Sequence, residues 1–462
     1  MLMLGFKEKY SYGVGALGKD LACSIVFLYV MFYFTDIVGL DPVFVGSVMF
    51  IARFWDAIND TFMGVVIDNT RSKFGKFRPW ILGGTIINAI AIVLLFSNPN
   101  LDGSARAYYY GAMYIIWGMT YTIMDIPYWS MLPTLSNNPE ERNKIAVIPR
   151  IFASLAWFLM GTFGLQMVAR LGNVGELTGQ ARVDAQMVGF SRFAMVISAV
   201  FVFCSLLTFL FAKEQVVAED DDKKEKTTVK QALQIIKNND QLMAFIGILL
   251  SFNLITQLSG GVSIYYFKYA VGNEDMYSLF QAYSGISEIA GLLIFPIVAS
   301  KISRTKLYAI ACSLPIIGLS GLVATGIMMP TNGAMVAICG IIFKLGSGLS
   351  LGASTVMLAD VVDYGEYKLH TRNESIVFSI QTMLVKFASA ISGWIVGVGL
   401  SMIGYVPNVD QTGATITGLR VLMGAVPAVL AILSFVLFAK FFKIKGQFHT
   451  DMLAELQHRK AS

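Results

Sequence analysis

Twelve stretches of this 462-residue chain are about 20 to 30 residues long, mostly apolar and poor in charge. They run approximately over 10–36, 42–67, 79–97, 107–133, 145–170, 187–212, 241–267, 276–299, 307–329, 333–359, 375–403 and 418–441. A helix of about 20 mostly apolar residues crosses a bilayer. Helices and closed barrels are the only lipid-exposed structures whose backbones satisfy their own hydrogen bonds there. The pattern predicts an all-α polytopic membrane protein of twelve transmembrane helices. The composition agrees: 14% of residues are charged, against about 25% in soluble domains, and the mean hydropathy is +0.63.

The net charge is +5. The loops after the even-numbered spans and both tails hold about two dozen Lys and Arg residues. A basic balance placed in this way reads as membrane topology, with both termini cytoplasmic, and not as a nucleic-acid partner. The four cysteines lie in separate spans without a C-x-x-C pair, which suggests neither a metal site nor a disulfide framework. The first span is expected to serve as the targeting signal.

The longest polar segment, KEQVVAEDDDKKEKTTVKQALQIIKNND (213–240), falls at the middle of the chain. It divides the chain into a six-helix bundle at 1–212, a cytoplasmic loop, a second six-helix bundle at 241–442 and a cytoplasmic tail at 443–462. Transporters are often built from two such halves, with the solute site near the bilayer midplane. A short echo, ERNKI (141–145) against TRNESI (371–376), is consistent with a repeat.

The spans nevertheless hold Lys19, Asp20, Arg53, Asp56, Asp60, Asp125, Arg150 and Lys386. The set balances in sign. Unpaired at helix centres, these charges would cost roughly 20–28 kcal/mol together. At 100° per residue, Arg53, Asp56 and Asp60 fall within an arc of roughly 60°, with Asn59 beside Asp56. Tyr121, Thr122, Asp125 and Trp129 share an arc of about 100°, and Thr382 lies one turn from Lys386. Two carboxylates at i and i+4, with an amide and a hydroxyl, suit a small hard cation. They equally suit a shared proton, because like charges raise one pKa. Trp129 with Asp125, near Lys19, Asp20 and Arg150, suits a sugar, whose ring has an apolar face and a rim of hydroxyls.

Other readings stand beside these. A purely structural ion-pair network fits any single charge, and Trp129 near a span end fits an interfacial anchor. GVGALG (13–18) spells a dinucleotide-binding motif, but it opens a transmembrane span and reads as close helix packing through small residues. No nucleophile–histidine–acid set is visible. His370, His449 and His458 all fall in a loop or the tail, so no enzyme activity and no resident cofactor are expected.

YGVGALGKD (12–20), ARFWDAIND (52–60), RSKFGKFRPWIL (71–82), WGMTYTIMDIPYWS (117–130), PRIFASLA (149–156), ADVVDYGEYKLHTRNES (359–375) and SIQTMLVK (379–386) together resemble the glycoside–pentoside–hexuronide:cation symporters, a branch of the major facilitator superfamily. The resemblance extends over nearly the whole chain. It implies two six-helix bundles and alternating access in a bacterial cytoplasmic membrane. It implies a galactoside pocket formed by Lys19, Asp20, Asp125, Trp129, Arg150, Thr382 and Lys386, for a sugar such as melibiose. It also implies a Na⁺, Li⁺ or H⁺ site formed by Asp56, Asn59, Asp60 and Thr122. Many relatives lack some of these acids and are limited to protons, so their presence favours Na⁺.

There are departures. GLSLGASTVMLAD (348–360) resembles a stretch that carries a Trp and a Gln facing the site in a melibiose-transporting member of the family; here Leu351 and Ser354 stand in those places. Glu288 and Lys344 are intramembrane charges unexpected in the family, and their opposite signs predict a compensating structural pair. Arg71, Lys73, Lys76 and Arg78 are expected to latch the halves by pairing with Asp360, Asp363 and Glu366; simple positive-inside bias is the plainer reading. The leading expectation is sugar:cation symport. Its rivals are a proton-only permease for another glycoside, pentoside or hexuronide, a sugar sensor, and an enzyme acting on lipid-linked sugar.

Overall fold

A computed structural model describes residues 6–136, 139–214, 237–369 and 374–461. Most of the central polar segment, His370 and the start of TRNESI lie outside them. The described residues are helical almost throughout. The first six long helices are α1 (Phe6–Phe32), α2 (Pro42–Asp68), α3 (Arg78–Leu95), α4 (Gly103–Met131), α5 (Pro139–Gly172) and α6 (Gly179–Phe211). The next six are α7 (Asp240–Tyr265), α8 (Asp275–Lys301), α9 (Arg304–Met328), α10 (Gly333–Leu369), α11 (Glu374–Met402) and α12 (Gly413–Phe441). The expected spans all fall on these helices, although α10 runs about ten residues beyond its apolar stretch.

Among the described residues, ten of the twelve hold a stretch long and apolar enough to cross a membrane; α2 and α4 are the exceptions. Length is not what they lack, since they have 27 and 29 residues. At 1.5 Å per residue either exceeds the roughly 30 Å hydrocarbon core. They fall short because polar side chains interrupt them: Arg53, Asp56, Asn59 and Asp60 in α2, and many tyrosines, threonines and glycines in α4.

The chain divides into two compact units. The first holds α1 to α6 together with Val406–Val409, and the second holds α7 to α12 and the tail. In the first unit α1 packs on α5 and α6, α2 on α4, and α3 on α4 and α6. In the second, α7 packs on α11 and α12, α8 on α10, and α9 on α10 and α12. Each of these pairings recurs six helices later, while the α5–α6 packing of the first unit has no comparable counterpart among the described residues. Furthermore, α1 and α7 both end in a π-helical turn, at Tyr33–Ile37 and Tyr266–Val271. The two units are therefore structural repeats, although sequence shows only a short echo.

The tail contains a further helix, α13 (Gln447–Ala461), where the sequence predicts only a cytoplasmic tail. It packs on α10, with Met452 and Leu456 buried. His449 Nε2 lies 3.1 Å from Asp360 Oδ1, and Arg304 pairs with the same carboxylate. The first residue of α7, Asp240, accepts from Tyr364, Lys368 and Lys443 at 2.8, 2.5 and 3.1 Å. A carboxylate suits that position, because a helix N-terminus favours negative charge.

Glycine sets the closest approaches. A Cβ on Gly189 would stand 2.2 Å from the Val168 carbonyl oxygen, and one on Gly172 would stand 2.2 Å from that of Ala185. The α5–α6 crossing thus has no room for a methyl group on either side. Gly189→Ala should destabilise the purified protein by about 1–3 kcal/mol, read as a lower thermal unfolding midpoint in detergent. Gly83 faces open space, so Gly83→Ala should be neutral or stabilise by up to about 1 kcal/mol.

Candidate functional site

The polar stripe of α2 meets α4 along residues 118–122. Gly118 lies opposite Asp56, and a Cβ there would approach Asp56 Oδ1 to 2.8 Å. One turn along, Asn59 donates to the Met119 carbonyl at 3.2 Å and Thr122 donates to Asp60 Oδ1 at 3.1 Å. Arg53 donates to Asp56 Oδ2 at 2.9 Å, and its guanidinium lies 4.5 Å from the Phe27 ring centre. Asp56, Asn59, Asp60 and Thr122 thus converge on a single helix crossing. They offer carboxylate, amide and hydroxyl oxygens, the donor chemistry of a hard cation.

A second cluster lies along α1, α4 and α5. The Lys19 ammonium is buried and stands 3.1 Å from Asp20 and 2.8 Å from Asp125. It lies 5.0 Å from the Trp129 ring centre, with Tyr121 and Tyr128 at 5.9 and 5.5 Å. The Arg150 guanidinium lies 5.9 Å from the same Trp129 ring. One ammonium between two carboxylates leaves a net negative charge, which Arg150 balances nearby. Asp125 keeps 29% of its side-chain surface exposed, so this cluster opens to the outside on its α4 side. An amphipathic ring with charged groups at its edge suits a polyhydroxylated ligand.

The 100° arc of α4 therefore serves two clusters. Thr122 turns to α2, while Tyr121, Asp125 and Trp129 turn to Lys19. Thr382 and Lys386 lie on α11 of the second unit, exposed and half-buried respectively. Leu351 is exposed on α10, whereas Ser354 is buried and donates to the Leu351 carbonyl at 2.9 Å. Of the two departures in that segment, only Leu351 presents its side chain outward. Glu288 and Lys344 form the expected pair: the ammonium donates to both carboxylate oxygens at 3.2 and 3.1 Å.

Among the basic loop residues, Arg71 and Lys73 are exposed. The backbone N–H groups of Lys76, Phe77 and Arg78 donate to Glu214 at 2.8, 2.9 and 3.3 Å. The Arg78 side chain binds the Phe209 carbonyl. Asp360 is held by Arg304 and His449 of its own unit. Asp363 and Glu366 are half-buried on the last turns of α10.

Four further residues contribute that the sequence does not single out. Trp157 donates its indole N–H to Asp20 Oδ1 at 3.2 Å. It lies seven residues after Arg150, on the same face of α5, so helical periodicity alone could have found it. Tyr12 and Tyr128 stack at 4.4 Å, and the Tyr12 hydroxyl donates to the Tyr128 carbonyl at 2.6 Å, locking α1 to α4 beside Lys19. Glu214 caps the start of α3 as a carboxylate at a helix N-terminus; nothing local in the sequence marks that role.

Comparison with known proteins now bears on this geometry. A family model described as MFS/sugar transport protein matches residues 11–446. The isoprimeverose transporter of Lactiplantibacillus pentosus is 30% identical over 461 residues, covering 99% of this chain and 93% of that protein. The lactose permease of Lactobacillus helveticus is 26% identical, covering 98% and 72%. The crystal structure of the nucleoside transporter NupG superposes with a TM-score of 0.67 at 15% identity, covering 94% of this chain and 99% of that one. That likeness shows the fold. The chain belongs to the MFS/sugar transport protein family, the glycoside–pentoside–hexuronide:cation symporters of the major facilitator superfamily.

Proposed function

We propose that this symporter imports a galactoside such as melibiose, coupled to Na⁺ with Li⁺ or H⁺ as substitutes, across a bacterial cytoplasmic membrane with both termini inside. The convergence of Asp56, Asn59, Asp60 and Thr122 on the α2–α4 crossing carries this reading. The formal charges at residues 53, 56 and 60 sum to −1, and a monovalent cation neutralises them. The cation competes with Arg53 for Asp56, which ties its binding to a movement of that guanidinium. The sugar stacks on Trp129 and bonds to Lys19, Asp20, Asp125 and Arg150. Cation and sugar each raise the other's affinity by the same factor, and the loaded protein switches sides by alternating access. Arg71, Lys73, Lys76, Arg78, Asp360, Asp363 and Glu366 act on that switch and not on the solutes. Catalysis, a resident cofactor and a nucleic-acid partner have no part in this reading.

A galactoside accords with the lactose permease among the relatives. The isoprimeverose transporter, at 30% identity, favours a sugar other than a galactoside; the second reading is a proton-only permease for another glycoside, pentoside or hexuronide. Counterflow of labelled sugars in proteoliposomes, with and without Na⁺ at fixed pH, decides between them.

Asp60→Cys should reduce Na⁺-driven accumulation of melibiose in vesicles at least about tenfold; full accumulation by that variant would sink the cation assignment. Trp129→Ala should weaken sugar binding about tenfold, or ~1.4 kcal/mol, in calorimetric titration of the purified protein. Trp129→Phe should retain most of the affinity, because it keeps an aromatic face.

A further inference from the structure

The Glu288–Lys344 pair lies in the middle of the second unit's helices. Glu288 is 13 residues from either end of α8, Asp275 or Lys301. That is about 20 Å along the axis in each direction, beyond the reach of a glutamate to either interface. The pair is not buried: the side chains are 36% and 20% exposed for Glu288 and Lys344. A half-exposed ion pair at that depth is strongly disfavoured against hydrocarbon and accommodated against water. Helix α10 points the same way. On α10, Lys344, Leu351 and Thr355 share an arc of about 40°, and both Leu351 and Thr355 are exposed.

The repeat adds an independent observation. The α8–α10 pair is the second unit's counterpart of α2–α4. Asp56 lies 14 residues into the 27-residue α2, and Glu288 lies 13 into the 27-residue α8. Gly118 lies 15 residues into α4, and Gly348 lies 15 into α10. Gly118 meets Asp56, and a Cβ on Gly348 would stand 2.2 Å from the Glu288 carbonyl oxygen. Gly291 completes the crossing, 2.7 Å by the same measure from the Leu345 carbonyl oxygen. The two units therefore place a carboxylate at matching depth on matching glycine-packed crossings. In the first unit Arg53 of the same helix answers Asp56, and in the second Lys344 of the facing helix answers Glu288.

We propose that Glu288 and Lys344 contact the transported solute: they form a polar, net-neutral wall of the water-lined path in the second unit and select neutral over anionic sugars. This rests on the sugar-symport reading above. The carboxylate retains lone pairs and the ammonium a donor beyond their mutual bonds, which suits adjacent sugar hydroxyls. Glu288 is the more exposed of the two, at 36% against 20% for Lys344, so a sugar acid meets the like charge first, and that repulsion supplies the selectivity.

Two measurements test this. The four native cysteines are buried, so a single added cysteine reports its own surroundings. Leu351→Cys should react with a membrane-impermeant methanethiosulfonate at least about tenfold faster than Leu293→Cys. Leu293 is 70% exposed on α8, turned about 140° from Glu288. Saturating sugar should slow the Leu351→Cys reaction. If Leu351→Cys is as inert as Leu293→Cys, the arc faces lipid and the proposal is overturned, whatever the protein transports. The second measurement is competition against counterflow of the best-exchanged neutral sugar, using galactose and galacturonate as probes. Glu288→Gln should shift relative inhibition toward galacturonate by about tenfold, and Lys344→Gln should shift it the other way. The swap Glu288→Lys with Lys344→Glu keeps the ion pair, so a structural bridge predicts unchanged selectivity while a solute-facing pair predicts a change. Unchanged ratios in all three variants would overturn the proposal even if the arc is wet. If the wild type exchanges no sugar, the symport reading fails separately, and the accessibility result still decides where the pair faces.

Discussion

Charge inside a bilayer must be answered within a few ångströms, and much of this structure is arranged around that requirement. The Lys19 ammonium, buried in the first unit, is answered by Asp20 and Asp125 from α1 and α4. Trp157 from α5 supplies a donor to Asp20, and the Tyr12–Tyr128 stack fixes the spacing of α1 and α4 beside it. Removing one partner would leave an uncompensated buried charge, which is more destabilising than never having had the pair. The cluster is thus a packing element, and in the proposed cycle its polar groups also meet the sugar.

Helix α4 connects the two clusters of the first unit. Thr122 is bonded to Asp60 of α2, while the adjacent Tyr121 lies 3.5 Å from the Lys19 ammonium. Neighbouring residues on one helix point about 100° apart, so a single rigid element reads both sites. In the proposed cycle, neutralising α2 changes how α4 is held, and the same helix carries Asp125 and Trp129 to the sugar. Gly118 makes this possible by letting α2 and α4 approach until Asp56 lies against backbone.

The second unit repeats the scaffold with different chemistry. Its α8–α10 crossing keeps the close glycine contact and a mid-helix acid, but the answering cation, Lys344, comes from the facing helix, whereas Arg53 shares a helix with Asp56. Its far end is tied by polar groups: Arg304 and His449 hold Asp360, and Asp240 gathers Tyr364, Lys368 and Lys443. Helix α13 is stapled there by Met452, Leu456 and His449. It escaped the sequence reading because its apolar positions are few and its partners lie a hundred residues away.

Sequence alone determined the membrane class, the helices and the charged residues that had to find partners. Apolar runs and their 3.6-residue period are local properties, and the cost of burying charge is the same wherever a helix ends up. It also determined that Arg53, Asp56 and Asp60 share a face, since one helix fixes its own angles. Tertiary structure alone decided which partner each charge found. It turned Thr122 toward α2 but Tyr121 and Asp125 toward Lys19, buried Ser354 while exposing Leu351, and brought Trp157 to Asp20. It also revealed the repeat, written in helix pairings and glycine crossings. These are distances between residues far apart in the chain, and periodicity within one helix carries no information about them.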